Sequence, residues 1–359
     1  MRILFFARRF YPEIGGVEKH VFEISKRLVS LGHSVTIISE GIHNIAPQGY
    51  FSLRDGATSL DSSLLAMTGI KSYKIPVSKD EKKKKFQIWR WLWNNRELIR
   101  DADIIHCHDV SFWYLPFRFL FPEKPVYTTF HGYEGYPIKQ NAVVVRKFSE
   151  KLSWGNICIG DFITKWYGTK PTIVSYGAVT VKSPVLRDTL IKGGKEDSAL
   201  FFGRLDDQTC VMTYVAGFEL LKKQFPKFEL LVMGEGKYKT KIAKKAKHLD
   251  FQKNPERYLE RYHFAFVSRY LSILEAFAAN RLVFAVYDNP IKEDYLRLSP
   301  FAKWLIIAKD PSELAEQVTY FLEHPEEEQK RIDKAFSWVK KQTWEAMVQN
   351  YLMLWKKTS

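Results

Sequence analysis

The sequence predicts an α/β protein of two doubly wound halves, each a parallel sheet covered by helices. Three observations lead there. Residues 2 to 39 read as one β-α-β unit, and a chain of 359 residues exceeds what one hydrophobic core organises. The strand-helix alternation also dissolves once, into Gly, Pro, Ser and Lys, before it starts again.

In chain order, Arg2 to Ala7 is an apolar strand and Arg8 to Gly16 a turn-rich loop. Val17, Val21, Ile24, Leu28 and Leu31 then recur at helical spacing, Gly32 ends that helix, and Val35 to Ser39 is the next strand. Such a unit implies a parallel sheet with a ligand crevice at its carboxyl edge. Further strands are predicted at Ile104 to Cys107, Val126 to Phe130, Asn156 to Ile159 and Thr172 to Val174. Tyr176 to Asp197, with Lys192-Gly-Gly-Lys195, reads as a linker. The second alternation has strands at Leu200 to Gly203, Phe228 to Met233, Phe264 to Val267, Leu282 to Tyr287 and Leu305 to Ala308. Thr343 to Lys357 is a last helix with Trp344, Met347, Tyr351 and Leu354 near one face. The domains expected are therefore 1–177 and 178–342, with 343–359 following as the final helix. Two such domains facing across a crevice suit a nucleotide-bearing ligand.

Composition narrows the function. Apolar residues make up 46% of the chain, enough for two cores, and no apolar run approaches the roughly 20 residues that span a bilayer. No early segment has the order of a signal peptide, so a cytoplasmic protein is expected. Cys107, Cys158 and Cys210 are few, odd in number and scattered, which suits buried thiols better than disulfides or a zinc site. A formal charge of +15 favours anionic company: nucleic acid, an acidic membrane surface or a phosphorylated ligand. Nucleic acid is set aside, because no zinc-finger spacing, RNA-binding strand motif or recognition helix is present. Lys82 to Lys85 followed by FQIWRWLW is the segment that suggests a membrane-surface helix, although packing its Trp face on the sheet and solvating its lysines is favoured.

The loop YPEIGGVEKH, residues 11 to 20, sets Gly15 and Gly16 before a helix, where first-turn amides attract phosphate; a plain strand-to-helix turn reads equally well. The order RILFFARRFYPEIGGVEKHVFEISKRLVSLGHSVTII, DADIIHCHD, VYTTFHGYE, LFFGRL, ELLVMGEG and SILEAFAANRLVFA resembles the family-4 retaining glycosyltransferases of the GT-B fold, over residues 1 to about 350. The resemblance implies two facing Rossmann-like domains, a nucleotide sugar (UDP- or GDP-linked) held mainly by the second, and a glycan or lipid-linked acceptor held mainly by the first. It implies no metal or other cofactor, and a final helix that crosses back at Thr343-Trp344-Glu345, the counterpart of the family's Ser-Trp-Glu. Asp101-Ala-Asp103 is accordingly not a metal site.

By resemblance His131 lies beside the donor sugar, and Arg204 in FFGRL clamps the diphosphate; these are the catalytic candidates. Gly15, Gly16, Gly234, Arg269, Leu271, Ser272, Ile273 and Glu275 are the further donor-binding candidates, with Glu18 and His108 on the acceptor side. His106, Cys107 and His108 alternate in direction along a strand, with too few further ligands for a metal. Gly234-Glu235-Gly236 would let a nucleotide lie against backbone or make an ordinary turn, and Lys237 to Lys247 reads as a solvated basic helix. Ser272 and Glu275 fit a capping box, while the resemblance gives Glu275 the ribose hydroxyls and the amides of Leu271 to Ile273 the distal phosphate. Asn280 would close that helix.

Two departures stand out. Thr209 and Cys210 occupy the place of the family's lysine, and Val267 that of its sugar-facing glutamate. Arg269 would partly replace the lysine. Rival readings are a binding protein that has lost turnover, a nucleotide-sugar epimerase, which would act without an acceptor, and a basic membrane scaffold. The aromatic run SFWYLPFRFLF, residues 111 to 121, would touch a lipid-linked acceptor or pack onto the first sheet, and packing is favoured.

Overall fold

The computed structural model describes residues 1–10, 15–41, 68–78, 80–181, 195–252 and 255–356. The expected linker therefore lies mostly outside the described residues, as do Tyr11 to Ile14 of the first loop. The chain divides into a unit formed by Met1–Ile159, Ile163–Ser175 and Met347–Ser359, and a second formed by Gly160–Phe162 and Tyr176–Ala346.

The first unit holds strands β1 (Arg2–Ala7), β2 (Ser34–Gly41), β3 (Lys71–Pro76), β4 (Ile104–His108), β5 (Val126–Phe130), β6 (Gly155–Ile159) and β7 (Ile173–Ser175). They form one parallel sheet in the order β3-β2-β1-β4-β5-β6-β7. Strands β4, β5 and β6 are buried throughout, as expected of parallel strands covered on both faces. Helix α1 (Gly16–Ser30) buries Val21, Ile24 and Leu28 at the predicted spacing. It closes on Gly32 at φ +81°, with the His33 and Gly32 amides donating to the Leu28 and Val29 carbonyls. Helix α2 (Glu81–Asn94) buries Ile88 and Leu92 and rests Trp89 and Trp91 on the core beside Trp113, Tyr114 and Phe117. The aromatic run after β4 thus mainly packs, as favoured, although Phe119 is exposed. Helix α3 (Gln140–Leu152) precedes β6.

The second unit holds β8 (Lys195–Phe202), β9 (Glu229–Met233), β10 (Lys247–Leu249), β11 (Tyr262–Phe266), β12 (Leu282–Val286) and β13 (Ile306–Ala308), in the order β10-β9-β8-β11-β12-β13. Its helices include α4 (Val211–Gln224), α5 (Tyr270–Ala278), α6 (Pro290–Arg297), α7 (Pro311–Glu323) and α8 (Pro325–Val339). Helix α9 (Trp344–Lys356) begins here, with the Thr343 hydroxyl accepting the Ala346 amide, and belongs to the first unit from Met347.

Three local readings change. Strands β3 and β10 were not foreseen: both are polar sheet edges, which escape an apolar-run criterion. The basic stretch Lys237 to Lys247 is a helix only over Lys239–Ala243 and then enters β10. The capping box fails, because α5 starts at Tyr270 with Arg269 as its N-cap, leaving Ser272 and Glu275 inside the helix. Its other end holds: Asn280 sits at φ +55°, and the Asn280 and Arg281 amides donate to the Phe277 and Ala276 carbonyls. The three cysteines are free and buried. Among the described residues, no helix is long and apolar enough to cross a membrane.

Candidate functional site

In the second unit the strand order reverses between β8 and β11, so the loops leaving their carboxyl ends diverge and open a crevice. Arg204 follows β8. Its side chain is half exposed, its Nε lies 3.3 Å from Asp206 Oδ2, and its Nη2 donates to Gln208 Oε1 at 2.7 Å. The Thr209 hydroxyl ties this loop by donating to the Arg204 and Asp206 carbonyls, and Cys210 turns it into α4 at φ +55°. The two residues at the lysine's place are therefore spent on loop shape.

Arg269 follows β11 at the start of α5, which is one of the two loops flanking the crevice. The Tyr270 amide donates to the Tyr295 hydroxyl and the Ile273 amide to the Arg269 carbonyl, so the remaining first-turn donors are Leu271 and Ser272. Ile273 has no amide to offer a phosphate. Glu275 is buried at 8% exposure in the middle of α5.

Gly234 follows β9 at φ +149°, and a Cβ there would stand 1.8 Å from the Gly203 carbonyl oxygen. Gly236, at φ +153°, is pressed against the Leu205 backbone in the same way. The Leu205 amide donates to the Glu235 carbonyl, locking the two loops together. These glycines are required by loop-on-loop packing, which is the turn-like of the two readings, and that packing supports the Arg204 loop.

One residue here carried no sequence signal. Lys292, in α6, is fully buried, and its ammonium donates to the Ser268 carbonyl at 2.5 Å and the Gln208 carbonyl at 3.3 Å. Burial, aided by the Arg269 charge, lowers its pKa to about 7. In the sequence it looks like any lysine on a solvated helix.

In the first unit the order reverses between β1 and β4. Gly15 is extended, at φ −175°, and serves as the N-cap of α1; Gly16 is exposed in the first turn. A Cβ on Gly15 would lie 2.3 Å from Glu18 Oε2, so the Glu18 carboxylate folds over the helix start and occupies the place where an anion would sit. Asp109 follows β4 at φ +60° and accepts the His131 amide on both carboxylate oxygens, at 3.1 and 3.3 Å. Burial pushes its pKa up to about 6 against the pull of Arg146. Arg146 is buried, donates to the Gly132 carbonyl at 2.9 Å and to Glu134 at 3.2 Å, and lies 3.8 Å from the Tyr167 ring centre. Asp109 could have been found as the acid that closes DADIIHCHD; Arg146 could not.

Four histidines gather on the face of this sheet away from Cys107. His108 Nδ1 is 2.9 Å from His131 Nε2, and the His20 and His131 ring centres are 4.9 Å apart. Burial holds His20 and His106 at pKa values of about 3 and lowers those of His108 and His131, so the rings are neutral. Trp355 Nε1 donates to His106 Nδ1, so the neutral His106 ring donates from Nε2 to Thr129. The Thr129 and Tyr351 hydroxyls share a hydrogen bond at 3.0 Å, and Tyr351 shares one with His20 Nε2 at 2.8 Å. His131 and His108 meet here, and His20 and Tyr351 join them through helices from opposite ends of the chain.

Comparison with known proteins agrees with this architecture. Residues 14–174 match the model of Glycosyltransferase Family 4. A phosphatidyl-myo-inositol mannosyltransferase of Mycobacterium tuberculosis is 22% identical over 66% of this chain and 62% of its own length, so the chain spans about three fifths of that relative. A glycosyltransferase from Rickettsia africae superposes with a TM-score of 0.71 at 17% identity, covering 99% of this chain and 98% of that one. Anabaena HepE, solved with UDP and glucose, superposes with a TM-score of 0.70 at 13% identity, covering 98% of this chain and 97% of that one. Two doubly wound units and these structural neighbours together show the GT-B fold, and residues 14–174 are similar to Glycosyltransferase Family 4.

Proposed function

We propose that the protein transfers a sugar from a nucleoside diphosphate donor to a hydroxyl acceptor, with retention at the anomeric carbon. The observation that carries this is the placement of Arg204 and of the Leu271 and Ser272 amides on the two loops flanking the strand reversal of the second unit. That is where a fold of this kind presents positive potential to a diphosphate.

In this reading the bond between the anomeric carbon and the diphosphate oxygen breaks, and its electron pair leaves with the diphosphate. Arg204, Arg269 and the two amides stabilise the growing negative charge. The acceptor oxygen attacks from the same face and gives its proton to the departing phosphate oxygen. Glu275 holds the ribose hydroxyls, and Gly234 supports the nucleotide loop. His131, kept neutral by burial and with its backbone amide held by Asp109, contacts the sugar, while Glu18 and His108 serve the acceptor side. No metal or other cofactor is assigned.

A relative that acts on phosphatidyl-myo-inositol and a neighbour that binds UDP and glucose support a lipid-linked acceptor and a UDP- or GDP-sugar donor. The chain's own surface agrees with a peripheral place at an anionic membrane facing the cytoplasm. Phe86 and Trp93 of α2 are 70% and 54% exposed, and Lys83 and Arg90 share their face at helical spacing. A thermal-shift screen against UDP and GDP tests donor binding, and NMR of the product's anomeric configuration tests retention. Val267, buried at 1% exposure in place of an acid, favours one second reading, binding without turnover. Nucleotide stabilisation without transfer or hydrolysis across a donor panel would select it.

A further inference from the structure

We propose that Lys292 is a positioning residue that takes over the task of the lysine missing after Arg204, by tying the Arg204 loop to the start of α5. The proposal rests on the donor site assigned above and adds a residue to it.

The geometry is specific. The Lys292 ammonium donates to the Gln208 carbonyl, in the loop whose Gln208 side chain holds Arg204, and to the Ser268 carbonyl, one residue before the N-cap Arg269. A second link, from the Ser268 hydroxyl to the Thr209 carbonyl at 3.1 Å, joins the same two loops. Beneath them Tyr295 presents its ring to Lys292 at 4.7 Å and to Arg269 at 5.4 Å, stacks on Tyr270 at 3.9 Å, and accepts the Tyr270 amide. One buried cation therefore sets both halves of the anion site at once, from a helix that sequence spacing would never pair with Arg204.

The groups facing Lys292 are Arg269 from the start of α5, Asp206 and Cys210 from the Arg204 loop, Asp288 from the turn before α6, and Tyr295 from α6 itself. Burial and Arg269 disfavour its charge, whereas Asp206, Asp288 and Cys210 favour it. Its charge-assisted bonds are therefore present below about pH 7 and weaken above it. A bound diphosphate favours the charged form, so affinity falls as pH rises through that range.

The test is calorimetric titration between pH 6 and 8.5 with UDP-glucose and GDP-glucose, whose diphosphate diesters have no proton to lose there. Wild-type protein is expected to lose about tenfold in affinity across this range. Lys292→Arg keeps its charge and is expected to bind tightly and evenly at every pH, whereas Lys292→Met binds weakly and evenly. Should either replacement lower the melting temperature too far for titration, Asp288→Asn at the exposed turn is the second probe. It removes a charge that favours the ammonium, so the midpoint must move to lower pH. A flat wild-type profile, wild-type affinity in Lys292→Met, or an unmoved midpoint in Asp288→Asn overturns the role of Lys292 while leaving the donor site standing. Failure of wild-type protein to bind either nucleotide sugar overturns the donor site itself, and this inference with it.

Discussion

The His20 ring and the Tyr351 hydroxyl, 331 residues apart in the chain, meet at 2.8 Å in the core of the first unit. Because Tyr351 also shares a hydrogen bond with the Thr129 hydroxyl at 3.0 Å, one hydroxyl connects α1, β5 and α9. Tyr351→Phe removes it and leaves His20 Nε2 and Thr129 without that partner. A loss of about 1–3 kcal/mol is expected in urea unfolding, larger than for a surface substitution.

The neutral histidines make the unit sensitive to acid. His20 and His106 titrate near pH 6.5 when unfolded and near 3 when folded. In between, the unfolded chain binds protons that the folded chain refuses, so stability is present above pH 6.5 and falls as pH falls toward 3. The slope is at most about 1.4 kcal/mol per pH unit for each histidine. Urea titrations at pH 7, 5.5 and 4 should show this decline, and His106→Gln should flatten it.

Arg204 is expected to matter more for turnover than for folding, since its side chain is half exposed in a loop at a carboxyl strand end. Arg204→Ala should leave the melting temperature nearly unchanged and lower kcat/KM by about a hundredfold, the cost typical of losing one donor to a charged transition state. Equal kcat/KM in the variant would remove Arg204 from the site.

Glu275 offers a sharper distinction. Glu275 has no capping role and is buried inside α5, and the ribose hydroxyls are its proposed ligand. If ribose is that ligand, Glu275→Gln weakens binding of UDP or GDP by about 1–2 kcal/mol but leaves the weaker binding of the corresponding 2′,3′-dideoxynucleotides unchanged. Equal loss for both would assign Glu275 to structure alone.

Gly234→Ala tests the loop packing without touching a charged group. The new Cβ would meet the Gly203 carbonyl oxygen at φ +149°, so backbone must shift. A destabilisation of about 2 kcal/mol or more is expected in thermal unfolding.

Much of this was legible in the residues. The buried strands announce themselves as apolar runs, and Arg2–Ala7, Val126–Phe130 and the core of β12 fall where the runs do. Gly32 and Asn280 end their helices as read, because a left-handed residue has few sequence substitutes. Edge strands β3 and β10 were not legible, since an exposed edge selects against the apolar pattern. The start of α5 was misjudged for a related reason: Ser272 and Glu275 have capping spacing, but the Tyr270 amide found its acceptor in Tyr295, from another helix.

The sequence by itself determined the two doubly wound units, the order of their motifs and the positions of Arg204 and His131 at carboxyl strand ends, because periodicity and strand termini are local properties. Only the tertiary structure decided that Lys292 bonds the Gln208 and Ser268 carbonyls, and that Trp355 fixes the His106 tautomer. Those roles come from burial against groups far away in the chain, and burial is a property of the packed fold that no single stretch of residues contains.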